Sequence, residues 1–265
     1  MNPVSKFDKN VNSYEKYRPT YCVELYQNVI DYAKFGNGKF AIEVGCGTGQ
    51  ATKPFLDTGG HVTAFEIGAN LADYTQNKFF DYKNLTVIAK PFEYFPFEEN
   101  SVDFVFAATS FHWVSNIENG EPGYPLAHKI LKPDCVLACW WNTPIPCYEN
   151  PKLKKEMQDV YNKYAPEIAH NETADEFEQT YIKRCVHIAW RHWQNGFYGA
   201  IFNLYHTYRT FSADNYIGLL HTYSDHMNLS EDTRTALFDA IYNIITKHGE
   251  IIIQDRIDLH MGRKY

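Results

Sequence analysis

Three glycines at alternate positions, Gly45, Gly47 and Gly49, follow an acidic residue, Glu43, in the stretch AIEVGCGTGQ (41–50). Glycine weakens strands and helices alike, so this spacing indicates a turn at which the backbone must approach another group. A dinucleotide-binding turn has the spacing G-x-G-x-x-G, and here the last glycine comes one position too early. The carboxylate of Glu43 would repel a phosphate and attract an ammonium group. The pattern therefore predicts a site for an adenosine-bearing molecule with a cationic tail.

A second acidic residue, Glu66, closes the apolar stretch HVTAFE (61–66), seventeen residues after Gly49. A carboxylate is suited to accept hydrogen bonds from both hydroxyls of a ribose. Taken alone, Glu66 could equally be a solvated strand end. Its distance from the glycine turn favours the ribose role.

The elements that must position these residues alternate between apolar strands and helices. Strands are predicted at 39–44, 61–67, 85–89, 102–108 and 135–141, with helices at 51–59, 69–80 and 124–131. Apolar strands separated by helices predict a doubly wound α/β fold with a parallel sheet covered on both faces.

After Trp141 this pattern breaks. The prolines of NTPIPCYENP predict a connection, and residues 151 to about 200 predict helices rather than another strand–helix unit. A strand at 202–211 follows, then helices that begin after the caps Ser212 and Ser230. The last stretch, 250–264, alternates in hydropathy and predicts an edge or antiparallel strand with Ile257, Leu259 and Met261 on one side.

Together these features resemble the class I S-adenosylmethionine-dependent methyltransferases of the small-molecule type, close to the methyltransferase type 11 and trans-aconitate methyltransferase-like subgroup. The resemblance implies a Rossmann-like sheet of about seven strands, the last antiparallel, with a helical cap insertion. It also implies S-adenosyl-L-methionine as cofactor, with the loop from Glu43 to Gly49 around its methionyl part and Glu66 on its ribose. Further cofactor-binding residues implied at these positions are Cys46, Thr48, Gln50, Ile67, Ala108 and Phe111.

Two parts of the predicted cofactor site rest on weaker matches. The acid that usually contacts the adenine amine in this family falls here on Pro91, so we expect adenine to be held by Phe92, through its backbone or by packing, with Glu93 as the nearest acid. The segment SYEKYRPTY (13–21) resembles the start of a lid over the cofactor. Its candidate residues are Tyr14, Tyr17 and Arg18, and the alternative for them is an ordinary surface helix.

Four regions are predicted from this resemblance. They are N-terminal lid helices at 1–35, a cofactor-binding core at 36–144, a helical cap insertion at 145–200, and C-terminal strands and helices that complete core and cap at 201–265.

The predicted reaction needs alignment of an acceptor with the methyl group and exclusion of water, and it needs a base only if the acceptor must lose a proton. His112, after the fourth strand, is the candidate base because histidine titrates near neutrality. The alternative is that it packs against the cofactor or bonds to the backbone. Trp113, Trp190 and Arg191 are candidate substrate-binding residues, with Arg191 suited to a carboxylate or phosphate. Packing under the loop is the alternative for Trp113, and ordinary helix packing is the alternative for Trp190 and Arg191.

Composition limits the partners. The formal net charge of −7 argues against nucleic acid, and no apolar run is long enough to predict a membrane span. The N-terminus lacks an apolar signal core, so we expect a cytoplasmic protein. We also expect a monomer or homodimer. The expected partner is a small-molecule methyl acceptor, such as a carboxylic acid or lipophilic metabolite. The six cysteines form no C-x-x-C pair, and we expect no metal. A nicotinamide-dependent oxidoreductase on a similar fold and a non-catalytic S-adenosylmethionine-binding protein remain alternatives.

Overall fold

The computed structural model describes residues 8, 11–115, 122–147 and 150–265 of the chain. The first ten residues of the predicted lid, apart from residue 8, therefore lie outside the described ranges. In chain order, the helices and strands are α1 (Val11–Tyr17), α2 (Val23–Ala33), β1 (Phe40–Val44), α3 (Thr52–Leu56), β2 (His61–Phe65), α4 (Ala69–Lys78), β3 (Leu85–Ile88), β4 (Val102–Ala108), α5 (Gly123–Ile130), β5 (Leu131–Cys147), α6 (Pro151–Tyr164), α7 (Ala174–Gln194), β6 (Phe197–Phe211), α8 (Ala213–Leu220), α9 (Ser224–Asn228), α10 (Glu231–His248) and β7 (Ile251–Lys264). Short 3₁₀ turns lie at Phe92–Tyr94, Phe111–Trp113 and Pro166–Ile168.

The residues group into two compact units whose segments alternate along the chain. The first unit comprises the segment up to Pro19, Thr143–Thr180 and His206–Arg256, and the second unit comprises Thr20–Asn142, Tyr181–Tyr205 and Ile257–Tyr265. By this grouping, residues 181–200 belong with the sheet and its glycine turn, whereas the sequence placed them in the insertion.

The strands form one seven-stranded sheet in the order β3-β2-β1-β4-β5-β7-β6. The first five strands are parallel and the last is antiparallel, which confirms the predicted fold class. Because β7 lies between β5 and β6, it is an interior strand, and β6 is the edge. The strand order reverses between β1 and β4, and ligands of open α/β sheets bind beyond the carboxyl ends of the strands at such a reversal.

Successive residues of the parallel strands pack on opposite faces of the sheet, as apolar strands buried on both sides must. In β4, Phe104 and Phe106 belong to one hydrophobic cluster, and Val105 and Ala107 belong to the other. The ring of Phe106 stacks on Trp140 of β5, with centroids 6.0 Å apart. Full burial of an aromatic ring of this kind contributes roughly 1.5–3 kcal/mol. This packing holds the carboxyl ends of β1, β4 and β5 in place.

Two strands are longer than the sequence predicted. β5 continues to Cys147 through Pro144 and Pro146, where we expected a connection, and β6 begins at Phe197 rather than residue 202. Proline cannot donate a hydrogen bond to a neighbouring strand. The parallel pairing of β5 with β4 ends at Ala108↔Trp140, so both prolines lie beyond it and remove no hydrogen bond from that side.

The first unit has a hydrophobic core of its own, built mainly by α6, α8 and α10. The predicted caps are confirmed, because the hydroxyl of Ser212 accepts from the amide of Asn215 and that of Ser230 accepts from the amide of Thr233. Buried Asp255 is paired with Arg209, whose Nη1 also donates to the carbonyl of Tyr17 at 2.9 Å. No helix within the described ranges is both long enough and apolar enough to span a lipid bilayer.

Candidate functional site

The glycine turn joins β1 to α3, and all three of its glycines, Gly45, Gly47 and Gly49, have a positive φ that disfavours any other residue. Gly45 has φ of 70° and Gly49 has φ of 79°. A Cβ atom on Gly45 would lie 2.6 Å from the Cβ of Ser110, and one on Gly49 would lie 2.4 Å from the ring of Phe79. The predicted turn is present. Its backbone approaches the side chains of Ser110 and Phe79 so closely that a larger residue than glycine would not fit.

Side chains of α4 hold the turn from outside. Thr75 donates its hydroxyl to the carbonyl of Gly47 at 2.7 Å, and Lys78 donates to the carbonyl of Thr48 at 3.1 Å. Of the other predicted turn residues, Cys46 is buried, and the side-chain amide of Gln50 donates to the hydroxyl of Thr48. The turn is therefore fixed before any ligand arrives.

Glu66 follows β2 directly, and its buried carboxylate faces the turn. One oxygen accepts from the amide of Gly47 and the other from the amide of Gly68, both at 2.9 Å. A carboxylate has about four lone-pair positions, so each oxygen can accept a second hydrogen bond. The two amides orient the carboxylate so that both of its oxygens could accept hydrogen bonds from the two adjacent hydroxyls of a ribose.

Glu43 lies in β1 and is 1% exposed. Its Oε2 accepts from the hydroxyl of Thr52 at 2.7 Å, whereas its Oε1 is buried without a hydrogen-bond partner. Burial raises the pKa of this carboxyl to about 8, the Thr52 hydroxyl opposes that rise, and the charge of Glu66 adds to it. A buried polar atom without a partner is unfavourable. An ammonium group beside Oε1 would supply both the missing donor and the missing charge, so the residues present fit the cationic tail predicted from the sequence.

The residues predicted to contact adenine lie in different surroundings. The ring of Phe92 is buried and packs against Phe65 and Phe97, at centroid distances of 6.0 and 5.3 Å. The backbone of Phe92 is thus the part suited to contact a ligand. Glu93 is half-buried, and Ile67, next to Glu66, exposes 47% of its surface.

The segment after β4 reaches the turn through Ser110, whose hydroxyl donates to the carbonyl of Val44. Ala108 ends the strand, and Phe111 is buried edge-to-face against Tyr124 at 5.0 Å. Thr109 has φ of 55°, which is unusual for a β-branched residue. Its hydroxyl lies 3.0 Å from that of Tyr21. Strained residues of this kind cluster at functional sites, and the sequence pattern singled out neither Thr109 nor Tyr21.

His112 and Trp113 follow in the 3₁₀ turn. His112 is exposed, and its Nδ1 accepts from the indole N–H of Trp141 at 3.0 Å. Trp113 is 48% exposed, and its ring lies 4.9 Å from the His112 ring. The sequence identified His112 but gave no indication of its partner Trp141.

Trp190 and Arg191 lie on α7 in the second unit. Arg191 donates to the carbonyl of Ser115, and its guanidinium lies 4.9 Å from the ring centroid of Tyr124. Trp190 is 48% exposed, with its ring 5.7 Å from that of His187. Arg191 thus has protein partners on the sheet side, while Trp190 presents an apolar surface. Their substrate role remains a prediction.

The predicted lid residues are organised within the first unit. The guanidinium of Arg18 lies between the rings of Tyr14 and Tyr223, at 5.2 and 5.1 Å, and it donates to the carbonyl of Thr222. Tyr17 packs against Gly218 of α8, where a Cβ atom would lie 2.3 Å from its ring. The contact of these three residues with a cofactor remains a prediction.

Within the described ranges, one group of side chains has the spacing of metal ligands. Atoms of Cys185, Asp258 and His260 lie within 4.8 Å of one another, all buried. Asp258 already accepts from Arg184 and Tyr181 on one oxygen and lies 2.9 Å from His260 on the other. The arginine provides the positive charge that this carboxylate needs, so the arrangement is explained without a metal.

A family model described as a methyltransferase domain matches residues 42–139, which begin in β1 and end in β5. A methyltransferase-like protein of Schizosaccharomyces pombe is 29% identical over 178 residues, covering 66% of this chain and 66% of that protein. CRG1 of Saccharomyces cerevisiae, described as a probable S-adenosylmethionine-dependent methyltransferase, is 28% identical over 170 residues, covering 62% and 55%.

The alignments thus span between half and two thirds of these curated relatives. Among solved structures, a protein from Anaeromyxobacter dehalogenans described as a type II methyltransferase is similar with a TM-score of 0.61 and 17% identity, covering 93% of this chain and 98% of the other. At that identity the likeness concerns the fold.

Proposed function

Because the chain belongs to the class I S-adenosylmethionine-dependent methyltransferases, we propose that it transfers the methyl group of S-adenosylmethionine to a small-molecule acceptor by in-line displacement. One observation carries the proposal most directly: two buried carboxylates, Glu43 and Glu66, flank a fixed glycine turn, and Oε1 of Glu43 lacks a hydrogen-bond donor.

Each part of this site has a role toward the cofactor. Glu43 would hold the ammonium of its methionyl part, Glu66 the two ribose hydroxyls, and the backbone from Gly45 to Gly49 the chain between them. When bound, the cofactor supplies a methyl group on a positively charged sulfur. The last glycine of the turn comes one position earlier than in a dinucleotide-binding turn, which argues against a nicotinamide dinucleotide.

The work left to the protein is alignment and exclusion of water. Holding two reactants in line can lower the barrier by roughly 7–11 kcal/mol, so a catalytic triad is unnecessary. The apolar surfaces of Trp113 and Trp190 are suited to a lipophilic acceptor, and a carboxylic acid is the functional group we propose for it. The net charge of −7 disfavours nucleic acid as the acceptor.

Calorimetry with S-adenosylmethionine and with NAD tests the cofactor assignment. We expect the first to bind and the second not to, and binding of NAD alone would overturn the proposal. A screen with radiolabelled S-adenosylmethionine against a metabolite library that includes lipophilic carboxylates tests the transfer. Glu66→Ala serves as the matched control that should lose product. Cofactor binding without any methylated product would favour the non-catalytic alternative.

A further inference from the structure

The indole of Trp141 constrains the chemistry of His112. An indole N–H can donate a hydrogen bond and cannot accept one, so the histidine nitrogen that faces it must be unprotonated. Here that nitrogen is Nδ1, at 3.0 Å from Nε1 of Trp141. A neutral imidazole carries one proton, so His112 carries it on Nε2.

The pair is held by the sheet rather than by a mobile loop. Trp140 of β5 is paired with Ala108 of β4, so Trp141 is placed beside the end of the strand from which His112 follows four residues later. The Trp141 side chain is 9% exposed and belongs to the hydrophobic cluster on that face of the sheet. Its ring also lies 5.9 Å from that of His260. The indole therefore has little freedom to turn away from the imidazole.

Resting on the methyl transfer proposed above, we infer that Trp141 is a positioning residue that fixes His112 as a hydrogen-bond donor and removes it as a proton acceptor. His112 can take up a proton only at Nδ1, which requires it to give up the indole hydrogen bond. Its Nε2–H is suited to orient an oxygen of the acceptor.

This assignment limits the acceptors that can react. The attacking atom forms its bond to the methyl carbon with its own lone pair, while the bond from that carbon to sulfur breaks and sulfur keeps the electron pair. A carboxylate oxygen completes this exchange without losing a proton. A hydroxyl acceptor would have to release one, and His112 is not arranged to receive it. With His112 held as a donor, we expect acceptors that arrive already deprotonated to react best.

Nitrogen-15 NMR of the histidine side chains tests the inference directly. In ¹⁵N-histidine-labelled protein at neutral pH, with and without S-adenosylhomocysteine, two-bond proton–nitrogen spectra distinguish the two tautomers and the imidazolium. The signals that disappear in His112→Gln identify the residue. We expect His112 to carry its proton on Nε2 alone, and Trp141→Phe to give a mixture of tautomers.

Trp113→Phe is the matched control, because it alters the other ring next to His112 at 4.9 Å without touching the Trp141 indole. It should leave the tautomer unchanged. Retained affinity for S-adenosylhomocysteine shows that each variant is folded. A wild-type His112 with its proton on Nδ1, or present as imidazolium, would overturn the inference, as would an unchanged tautomer in a folded Trp141→Phe variant.

A kinetic comparison adds a second readout, using the acceptor obtained from the library screen. Glutamine keeps an N–H donor near the position of Nε2 but cannot act as a base. We expect His112→Gln to retain kcat within about tenfold and His112→Ala to lose roughly a hundredfold. Equal losses in both variants would contradict the donor role. A screen without any methylated product would contradict the proposed function instead, and the NMR result would still decide the tautomer.

Discussion

Binding of S-adenosylmethionine should release a proton from Glu43. Burial raises the pKa of this carboxyl to about 8, so at pH 7 roughly nine tenths of the free protein carries the neutral acid. An ammonium group beside its buried Oε1 favours the carboxylate and brings the pKa back down. Close to one proton should therefore leave the protein for each cofactor bound at pH 7.

Titration calorimetry at pH 7 in buffers of different ionisation enthalpy measures this number. The slope of the observed enthalpy against buffer enthalpy should give roughly 0.9 protons released for the wild type and a value near zero for Glu43→Gln. The affinity of the wild type should rise by up to about tenfold per pH unit from pH 5 to 8, because deprotonation becomes progressively easier. A wild type without proton release would refute the assignment of Glu43, as would equal release from the glutamine variant.

The raised pKa of Glu43 should also affect the free energy of unfolding of the free protein. Because the pKa of Glu43 is higher in the folded than in the unfolded state, its contribution is fully present below about pH 4.5 and is lost as the pH rises through about 8. The size of the shift corresponds to roughly 3–5 kcal/mol. The difference in free energy of unfolding between wild type and Glu43→Gln should therefore move in favour of the variant by that amount from pH 5 to 9. A pH-independent difference would contradict the raised pKa.

Three further predictions concern Glu66, the glycine turn and a buried ion pair of the first unit. Glu66→Ala should weaken cofactor binding, measured by calorimetry, by about 2 kcal/mol or more through lost hydrogen bonds to the ribose; unchanged affinity would mean that the residue is misassigned. Gly49→Ala should reduce both thermal stability and cofactor affinity because its Cβ has no space. Gly38→Ala is the matched control, because Gly38 also has a positive φ, of 77°, but a Cβ atom there would have no heavy atom within 4 Å. It should show only the backbone strain of about 1 kcal/mol. Equal effects of the two substitutions would show that space at the turn is irrelevant. Arg209→Ala should lower the free energy of unfolding by roughly 3–5 kcal/mol because it removes the positive charge beside buried Asp255. The double variant with Asp255→Asn should recover part of this loss, and no recovery would argue against the ion pair as the cause.

The glycine turn and the two acids beside it were predictable because their signals are local in the chain. Glu43 and the glycines lie within seven residues, and Glu66 ends the next strand. Parallel strands bring such ends together whatever the details of packing. The same logic gave the parallel strands and the antiparallel last strand.

The contacts of the segment that follows β4 were not predictable in this way. The bond between His112 and Trp141 depends on the register of β4 against β5, and the approach of Tyr21 to Thr109 joins residues 88 positions apart. The left-handed backbone of Thr109 has no signature in the residue type. Pro144 and Pro146 predict a connection, whereas the structure continues β5 through them. The sequence does not reveal that the pairing with β4 ends before these prolines.

The alternation of the two units along the chain has a consequence for folding. The polypeptide passes between them five times, at residues 19–20, 142–143, 180–181, 205–206 and 256–257. No single proteolytic cut can therefore free either unit as an intact fragment. Each unit must assemble from segments that are far apart in sequence, and such high contact order slows folding. We expect nascent chains to gain protease resistance only when the last strand has been synthesised, because Ile257–Tyr265 belongs to the same unit as the glycine turn.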